Sequence, residues 1–414
     1  MSSSLPFLQR AWPALAFGFA LTFSSSAGQT YFISLSGGAI RDELGLSHGG
    51  FGTLYTVATT ASALVLVWLG KLADRYDLVT LGAICVAALA AVCAIGMGGA
   101  QSWLVLGVAV FGLRLAGQGM LSHLSMTAMG RWFSAERGRA LSVAVLGFTA
   151  AEALLPFLGA LALATWSWRT LWWIAASVLV TVMLPLVLWF GSLAKGRGLH
   201  RPTEADGPSS ATPTRHWTRA EVMRDPRFYA LLPGVLAPPF IVTGVLFHQV
   251  HLVEEKGWSL PAFAATYPFY AGASMAVALG LGFVIDRFGA VRLLPYYLLP
   301  IAAGLLVLSV TQSLIGAAVF MALMGASAGG ATLVIGALWA ELYGVKHLGA
   351  IRALAVSLMV FSTALAPGLM GALIDAGVSM DWQYRMLAGY VLVGVALFLV
   401  LQPSLERTSG ASTG

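Results

Sequence analysis

The sequence predicts an all-α membrane protein with twelve transmembrane helices in two pseudo-symmetric halves of six. The first observation is composition: the 414 residues are 58% hydrophobic and only 10% charged, with a mean hydropathy of +0.83. Soluble domains carry about a quarter charged residues. The second is that apolar runs of about 20 residues, each able to cross a hydrocarbon core of about 30 Å as a helix, recur along the chain. The third is an internal repeat.

The elements follow one another in a regular order along the chain. The first half, 1–191, holds six predicted spans at 11–35, 49–70, 78–99, 102–128, 139–163 and 170–191. Residues 192–226 are rich in Gly, Pro, Ser, Thr and charge, and we interpret them as a cytoplasmic linker. The second half, 227–414, holds six more predicted spans at 228–253, 262–285, 291–311, 314–340, 350–376 and 383–402.

Two stretches recur at a shift of 212 residues, which supports the division into halves. GLSHGGFGTLY (45–55) matches GWSLPAFAATY (257–267) in Gly, Ser, Phe and Tyr. GKLADRYDLVTL (70–81) matches GFVIDRFGAVRL (282–293) in Gly, Asp, Arg, Val and Leu. Positions that the fold needs twice should match across this shift, whereas positions that serve one substrate need not.

The distribution of Lys and Arg predicts that both termini are cytoplasmic, because cytoplasmic loops carry the excess of these residues. Of the 23 Lys and Arg residues, the predicted outer loops hold only Arg41, Arg169, Lys256 and Arg385. The net charge of +6 is therefore a signal of topology, and we expect no nucleic-acid partner.

Arg114 lies in the middle of the fourth apolar run, and Glu152 lies in the middle of the fifth. At 1.5 Å per residue we expect them about 22 Å and about 20 Å above the inner ends of their helices. The repeat aligns them with Ala326 and Ala364, so the second half does without either charge. Because a lone charge in hydrocarbon is costly, we predict that the two side chains pair beside a wet cavity.

The predicted pair has a functional and a structural interpretation. An Arg fork suits a carboxylate, and a Glu in low dielectric can exchange protons near neutral pH. We therefore predict that Arg114 binds an anionic substrate, that Gln118 on the same helix face assists it, and that Glu152 carries the coupling proton. The alternative is a buried salt bridge that only fixes the two helices together.

The two Gly-x-x-x-Asp-Arg segments between the second and third helices of each half resemble the loop signature of the major facilitator superfamily. The resemblance extends over the whole chain, in helix count, repeat and linker. It implies that these loops form a cytoplasmic latch that holds the halves together when the cavity faces outward. The first copy departs from the signature, since Asp77 stands in a place usually held by Gly. The implied latch residues are Gly70, Asp74, Arg75, Gly282, Asp286 and Arg287.

In this superfamily the first, fourth, seventh and tenth helices line the cavity, which implies further substrate contacts. On the first helix these are Gln29 and Tyr31. On the seventh we expect Pro238 and Pro239 to break the helix, and interrupted helices are the usual place for a transporter site. His248 follows near the outer end, where we expect a substrate contact at the mouth of the cavity.

The segment 227–259, which contains the seventh run, is also similar to the seventh helix of monocarboxylate and oxalate–formate porters. The first run has FALTFSSSAGQTYFISLSGG (19–38) where animal monocarboxylate transporters carry an acidic-Gly signature. The predicted function is proton-coupled uptake of a small monocarboxylate-type anion by alternating access. One alternative is proton-driven efflux of an amphiphilic drug or metabolite, although the fifth helix has Leu155 before Pro156 in place of the Gly-Pro typical of that class. The other is a membrane receptor or sensor that does not transport.

No metal-ligand spacing, nucleophile elbow or P-loop is found in the sequence. We therefore expect no enzymatic activity, no metal and no cofactor, with H⁺ as the coupling ion. The expected partners are a small anionic substrate and the lipid bilayer, and we expect the protein to work as a monomer. The expected location is a plasma membrane, the inner membrane of a bacterium.

Overall fold

A computed structural model describes residues 4–133, 136–198, 217–344 and 346–409. Throughout these ranges the chain forms helices and their connections, without a strand. Within these ranges, eleven helical stretches are long and apolar enough to cross a membrane. The predicted all-α membrane fold is thereby confirmed. The chain divides into two compact units, the first with Met1–Ser47 and Thr53–Pro208 and the second with His48–Gly52 and Ser209–Gly414.

The first unit contains short 3-10 and π segments between its α-helices. The 3-10 segments are Ser25–Gly28 and Ser34–Ser36, and the π segments are Val92–Met97, Arg114–Leu121 and Leu179–Met183. The α-helices are α1 (Ser4–Ser24), α2 (Thr30–Ile33), α3 (Gly37–Leu44), α4 (His48–Leu69), α5 (Leu72–Arg75), α6 (Leu78–Ala91), α7 (Trp103–Leu113), α8 (Ser122–Trp132), α9 (Arg137–Leu163), α10 (Trp168–Val178) and α11 (Leu184–Gly196). The first five residues of α4 belong to the second unit.

The first predicted span, 11–35, is not a continuous helix. Helix α1 ends at Ser24, a 3-10 turn follows, and Gln29 has an extended backbone with ψ of 149°. Three hydroxyl groups near this turn donate hydrogen bonds to nearby backbone carbonyls, those of Thr22, Ser24 and Ser25. Such local bonds offer the backbone an alternative to the regular helix, so they are compatible with the change of direction. This break brings backbone polar groups to membrane depth, where they need partners inside the protein.

Ion pairs and hydrogen bonds join the connections at each end of the first unit. At one end Arg169 pairs with Glu43 at 2.5 Å and donates to the Ala100 carbonyl at 2.6 Å. At the other end Asp74 pairs with Arg131, and Asp77 pairs with Lys195 at 2.7 Å. Alternate connections therefore meet at the same end, as expected for helices that cross a membrane in turn.

The second unit is built from longer uninterrupted helices. They are α12 (Arg219–Val222), α13 (Pro226–Phe247), α14 (Gln249–Lys256), α15 (Leu260–Ala264), α16 (Tyr267–Phe288), α17 (Ala290–Val310), α18 (Leu314–Tyr343), α19 (Leu348–Asp375) and α20 (Met380–Ser409). Helix α12 begins with a capping box of Thr218 and Glu221 and lies at the end of the predicted linker. Residues 199–216 of that linker are outside the described residues.

The expectation that Pro238 and Pro239 break the seventh span is wrong, because α13 runs through both prolines. Pro238 has no N–H to donate to the carbonyl four residues earlier, which is that of Gly234. The Tyr297 hydroxyl donates to this carbonyl instead, at 3.1 Å. A neighbouring helix thus satisfies the backbone, and the helix ends only at Phe247.

The ends of the second unit are also tied together. At one end Lys256 has an almost fully buried side chain that pairs with Asp381 at 2.7 Å and donates to the Thr311 carbonyl at 3.0 Å. At the other end the Trp217 N–H donates to the Tyr343 carbonyl at 3.0 Å, and the Tyr343 hydroxyl donates to Asp225 at 3.1 Å. These contacts fix α12 against α18.

Candidate functional site

The break in the first span lies against the fourth span with their backbones in contact. A Cβ atom added at Gly28 would lie 2.2 Å from the Leu113 carbonyl oxygen. One added at Gly117 would lie 2.8 Å from the Gly28 Cα atom. Only glycine permits this approach at either position, since any side chain would collide with backbone that cannot move aside.

Arg114 begins a π-helical segment at this contact. A π-bulge accommodates one extra residue in a helix and is frequent at functional sites. The Arg114 side chain is only 3% exposed, and its Nη1 atom donates to the Gly28 carbonyl at 3.1 Å. The cation therefore lies at the end of the 3-10 turn, where the two interrupted helices meet.

Tyr55 covers the guanidinium of Arg114. The Arg114 Cζ atom lies 5.3 Å from the centroid of the Tyr55 ring, within the range of a cation–π interaction. The Tyr55 side chain is fully buried, and its hydroxyl lies 2.6 Å from the Thr30 hydroxyl, just after the break. Sequence reasoning did not place Tyr55 here. Its recurrence as Tyr267, which donates to Gln249 at 2.9 Å, indicated only a residue that the fold needs twice.

The expected ion pair between Arg114 and Glu152 is not present among the described residues. The π segment and the Gly28–Gly117 contact direct Arg114 toward the broken first span. Helix α9 packs on α1 by other residues, with the Thr22 hydroxyl donating to the Ala144 carbonyl at 2.6 Å. The Arg114 Nε atom is buried and has no hydrogen-bond partner in the part of the chain that is described.

The other sequence-predicted residues of the first unit are distributed around this group. Glu152 is half-buried on α9, without a hydrogen bond or ion pair to the described residues. Gln118 is half-buried in the π segment, with its backbone N atom beside Gly28. Gln29 and Tyr31 flank Thr30 after the break, Gln29 half-buried and Tyr31 buried. The structure thus brings Arg114 and Gln118 together with residues 29–31. Glu152 shares no hydrogen bond or ion pair with them among the described residues.

His248 belongs to the second unit, at the end of α13. It is 5% exposed, and its Nε2 atom is 3.0 Å from the Pro367 carbonyl oxygen. Its ring centroid lies 6.1 Å from that of His48. His248 is therefore part of a histidine group and does not stand alone at a mouth.

The first copy of the loop signature is tied down by side chains. Arg131 pairs with Asp74 and donates to the Ala73 carbonyl at 2.6 Å, while Arg75 is exposed. His123 Nε2 is 3.2 Å from the Gly70 carbonyl oxygen. Burial acts to raise the pKa of Asp77, but hydrogen bonds from Lys195 and Thr80 outweigh it and hold that pKa below its usual range.

The second copy is arranged differently. Asp286 is exposed and makes no ion pair within the described ranges. The Arg287 guanidinium lies 5.3 Å from the Phe288 ring centroid, and a Cβ atom at Gly282 would meet nothing. Glu341 on α18 accepts a hydrogen bond from the Ala290 N–H at 2.6 Å. This carboxylate therefore caps the start of α17, the helix that follows the loop.

The second unit has a cavity of about 450 Å³ beside Pro238 and Pro239. Its walls are mostly apolar, with Thr332 and Arg352 as polar exceptions. Arg352 donates to the Gly336 carbonyl, which also lies in the wall of the cavity. Sequence analysis did not single out Arg352, because it lies near the start of its apolar run, where a basic residue is ordinary.

Comparison with known proteins gives one family and several similar structures. The profile of the Major Facilitator Superfamily matches residues 17–317. No curated protein matches the chain significantly in sequence. A bacterial homolog of the human lysosomal transporter Spinster, in an inward-facing and occupied conformation, is similar with a TM-score of 0.70 and 14% identity, over 98% of this chain and 99% of that chain. Its unoccupied form gives 0.66 and 14%, over 98% and 99%. A variant of the nucleoside transporter NupG gives 0.68 and 14%, over 94% and 99%.

Proposed function

Because the chain belongs to the Major Facilitator Superfamily, we propose that it takes up a small monocarboxylate-type anion together with a proton. As a member of this superfamily it is an integral membrane protein and a transporter. The proposal concerns the substrate class, the coupling ion and the direction. It also includes an inner-membrane location with both termini in the cytoplasm.

The observation that carries the proposal is a buried guanidinium with unused donors. Arg114 uses Nη1 for the Gly28 carbonyl, while its buried Nε atom has no partner among the described residues. A guanidinium presents five N–H donors in a planar fork that fits a carboxylate in two parallel bonds. Because a buried cation without an anion is costly, a carboxylate ligand would supply the missing charge and acceptors.

Glu152 supports coupling to protons. A half-buried carboxyl group at membrane depth, with no cation or donor bonded to it among the described residues, is disfavoured in its charged form. Glu152 therefore binds a proton readily and releases it when the surroundings become wetter or more positive. One proton and one monoanion would then cross together without net charge.

The first test is a thermal-shift screen of the purified protein against carboxylates and amphiphilic drugs. A ligand that binds the folded state raises the free energy of unfolding by RT ln(1 + [L]/Kd), and it therefore raises the melting temperature. We expect a monocarboxylate to stabilise the wild type and to lose most of its effect on Arg114→Lys, which keeps the charge and loses the fork.

The matched control is Arg139→Lys, an exposed arginine of the same unit. It should leave the carboxylate-induced shift unchanged. An Arg114→Lys protein with the full carboxylate shift would contradict the assignment of Arg114. So would a screen in which no carboxylate stabilises the wild type.

Efflux of an amphiphile is the second candidate, and the cavity of the second unit favours it. A volume of about 450 Å³ with mostly apolar walls suits a ligand larger than a short monocarboxylate. In the same screen, stabilisation by amphiphilic drugs, lost on Thr332→Trp and retained on Arg114→Lys, would favour an amphiphile bound in this cavity over a carboxylate at Arg114 as the substrate.

A further inference from the structure

Three histidines and three carboxylates lie together in the second unit, and we call them the histidine cluster. Its members are His48, His248, His251, Glu254, Glu255 and Asp375. The three carboxylates of this cluster belong neither to the proposed anion site at Arg114 nor to the proposed proton site at Glu152. His48 is the first residue of α4, and with residues 49–52 it belongs to this unit, while the rest of α4 belongs to the other.

Residues 48–52 are docked through their backbone. The Asp375 carboxylate accepts from the His48 N–H at 3.0 Å and from the Gly49 N–H at 2.8 Å. A Cβ atom at Gly52 would lie 2.3 Å from the Pro367 carbonyl oxygen, so the two backbones touch. This first turn of α4 is thereby held against α19 by hydrogen bonds and close packing.

His251 lies between two carboxylates. Its Nδ1 atom is 3.7 Å from Glu254 Oε2, and its Nε2 atom is 3.1 Å from Glu255 Oε1. A neutral imidazole has one donor nitrogen and one acceptor nitrogen, whereas an imidazolium has two donors. At 3.1 Å the Nε2–H group can donate to Glu255, whereas 3.7 Å is too long for a hydrogen bond, so Glu254 favours the imidazolium through its charge.

The His251 ring also supports His48. The ring centroids are 4.3 Å apart with an interplanar angle of 61°, which is an edge-to-face contact. In this contact a proton on His251 places a positive charge against the His48 ring. Glu255 extends the contact to α20, since it accepts from the Met380 N–H at 3.0 Å.

We propose that His251 is a proton-binding site and that its proton keeps residues 48–52 docked in the second unit. Glu254 and Glu255 face it from its own helix, and the His48 ring faces it from α4. On α20 the buried Tyr384 lies near Glu255 and near Asp381, which pairs with Lys256. His248 also holds the histidine cluster against α19, because its Nε2 atom bonds to the Pro367 carbonyl. Loss of the proton leaves a lone pair facing a carboxylate and removes the cation from the His48 ring, which loosens the docking.

The proposed ligand of this site is a proton. Within the described residues no three His, Cys, Asp or Glu side chains are arranged to hold a metal ion. Histidine is also the side chain whose charge changes between pH 5 and 8. The inference is independent of the proposed substrate, and it holds whether or not Glu152 carries the coupling proton.

The test is hydrogen–deuterium exchange of peptides that cover residues 45–55, because the His48 and Gly49 amides are bonded to Asp375. Labelling at about pH 5.5 and about pH 7.5, with times scaled to the intrinsic exchange rate, reports the docking alone. In the wild type we expect exchange to be at least about threefold faster at the higher pH. In His251→Gln, which cannot hold the proton, it should be fast at both.

The matched control is His123→Gln, a histidine of the first unit, which should behave as the wild type. Glu255→Gln guards against misfolding of the His251 variant, since its amide oxygen can still accept from Met380. Its protection at the lower pH should be weaker than in the wild type, because the proton on His251 loses one of its carboxylate partners. The same exchange at both pH values in the wild type would overturn the proposal. A wild-type difference between the two pH values in His251→Gln, or full wild-type protection at the lower pH in Glu255→Gln, would also overturn it.

Discussion

Arg114 is the buried cation of the first unit on which the proposed function rests. Its side chain is 3% exposed, lies under the Tyr55 ring, and donates to the Gly28 carbonyl. A buried donor without a partner, such as its Nε atom, costs about 1–3 kcal/mol. In the proposed function, a bound anion supplies the partner that this group lacks.

Glu43 is a second residue whose charge is held by specific partners. Hydrogen bonds from Arg169 at 2.5 Å and Trp168 at 2.8 Å lower the pKa of its carboxyl group. A lowered folded-state pKa contributes stability that is present above the unfolded-state value and is lost as the pH falls through the folded-state value. The loss should therefore occur below about pH 4.3, the ordinary value for Glu.

Glu43→Gln should remove this contribution. Because the pair is partly exposed, we expect the melting temperature at pH 7 to fall by only about 2 °C. The decrease on acidification from about pH 5 to about pH 3 should be smaller than in the wild type. Thermal unfolding across this range measures both effects, with the neighbouring exposed Asp42→Asn as control. An acid sensitivity identical to the wild type would show that the Arg169 contact contributes nothing.

At the scale of elements, the fourth span and the broken first span form one unit of structure. The π segment Arg114–Leu121 lies against the 3-10 turn Ser25–Gly28, and the contact depends on two glycines. Irregular backbone at membrane depth is tolerated only where it is buried in protein or lines a cavity. The position of the Arg114 guanidinium follows from this contact between backbones.

Gly117→Ala tests that contact. Its methyl group would lie 2.8 Å from the Gly28 Cα atom, so the segments must separate. We expect a destabilisation of about 1–3 kcal/mol and a weaker carboxylate-induced thermal shift, because Arg114 moves away from Gly28. Gly138→Ala is the control, since a Cβ atom there meets nothing and alanine favours the helix. Equal melting temperatures for Gly117→Ala and the wild type would contradict the packing argument.

The lengths of the apolar runs and the internal repeat were sufficient to predict the helical spans, except that the first is broken after Ser24 and the seventh divides after Phe247. They could not predict how Arg114 is oriented. A count at 100° per residue assumes an α-helix, and the π segment changes the phase after Arg114. They also failed at Pro238, because the partner that satisfies the freed Gly234 carbonyl is Tyr297, 63 residues away in sequence. Contacts that depend on a distant helix leave no periodic signal.

At the scale of the whole molecule, the two loop signatures are unequal. Asp74 pairs with Arg131, whereas Asp286 has no ion pair within the described residues. The repeat aligns Arg131 with Tyr343, whose hydroxyl bonds to Asp225 instead. We therefore expect the first loop to contribute more to conformational balance than the second.

Asp74→Asn should shift the balance between states without changing affinity within one state. Loss of one partly exposed ion pair changes a population by about twofold to fivefold. Maleimide labelling of cysteines introduced on each face measures the shift, and the native Cys85 and Cys93 are buried. More labelling on the cytoplasmic face is expected, with Asp42→Asn as control. Unchanged labelling on both faces would refute the latch.

The proposed function requires that an anion and a proton cross the membrane together. One substitution separates binding of the anion from coupling to the proton. Glu152→Gln imitates the protonated carboxyl group and leaves Arg114 with its Gly28 and Tyr55 contacts. The variant should keep substrate binding and should exchange labelled for unlabelled substrate across a membrane. It should not accumulate substrate against a gradient, because no proton is carried.

The most direct measurement is accumulation of a radiolabelled carboxylate, chosen from the thermal-shift screen, in proteoliposomes with an imposed pH gradient. The wild type should concentrate the substrate toward the alkaline side, and dissipating the pH gradient should abolish this. Glu152→Gln should retain exchange at a rate within about threefold of the wild type and show no accumulation above equilibrium. If Glu152→Gln still concentrates the substrate, or if the wild type never does, the coupled transport of anion and proton through this site is contradicted.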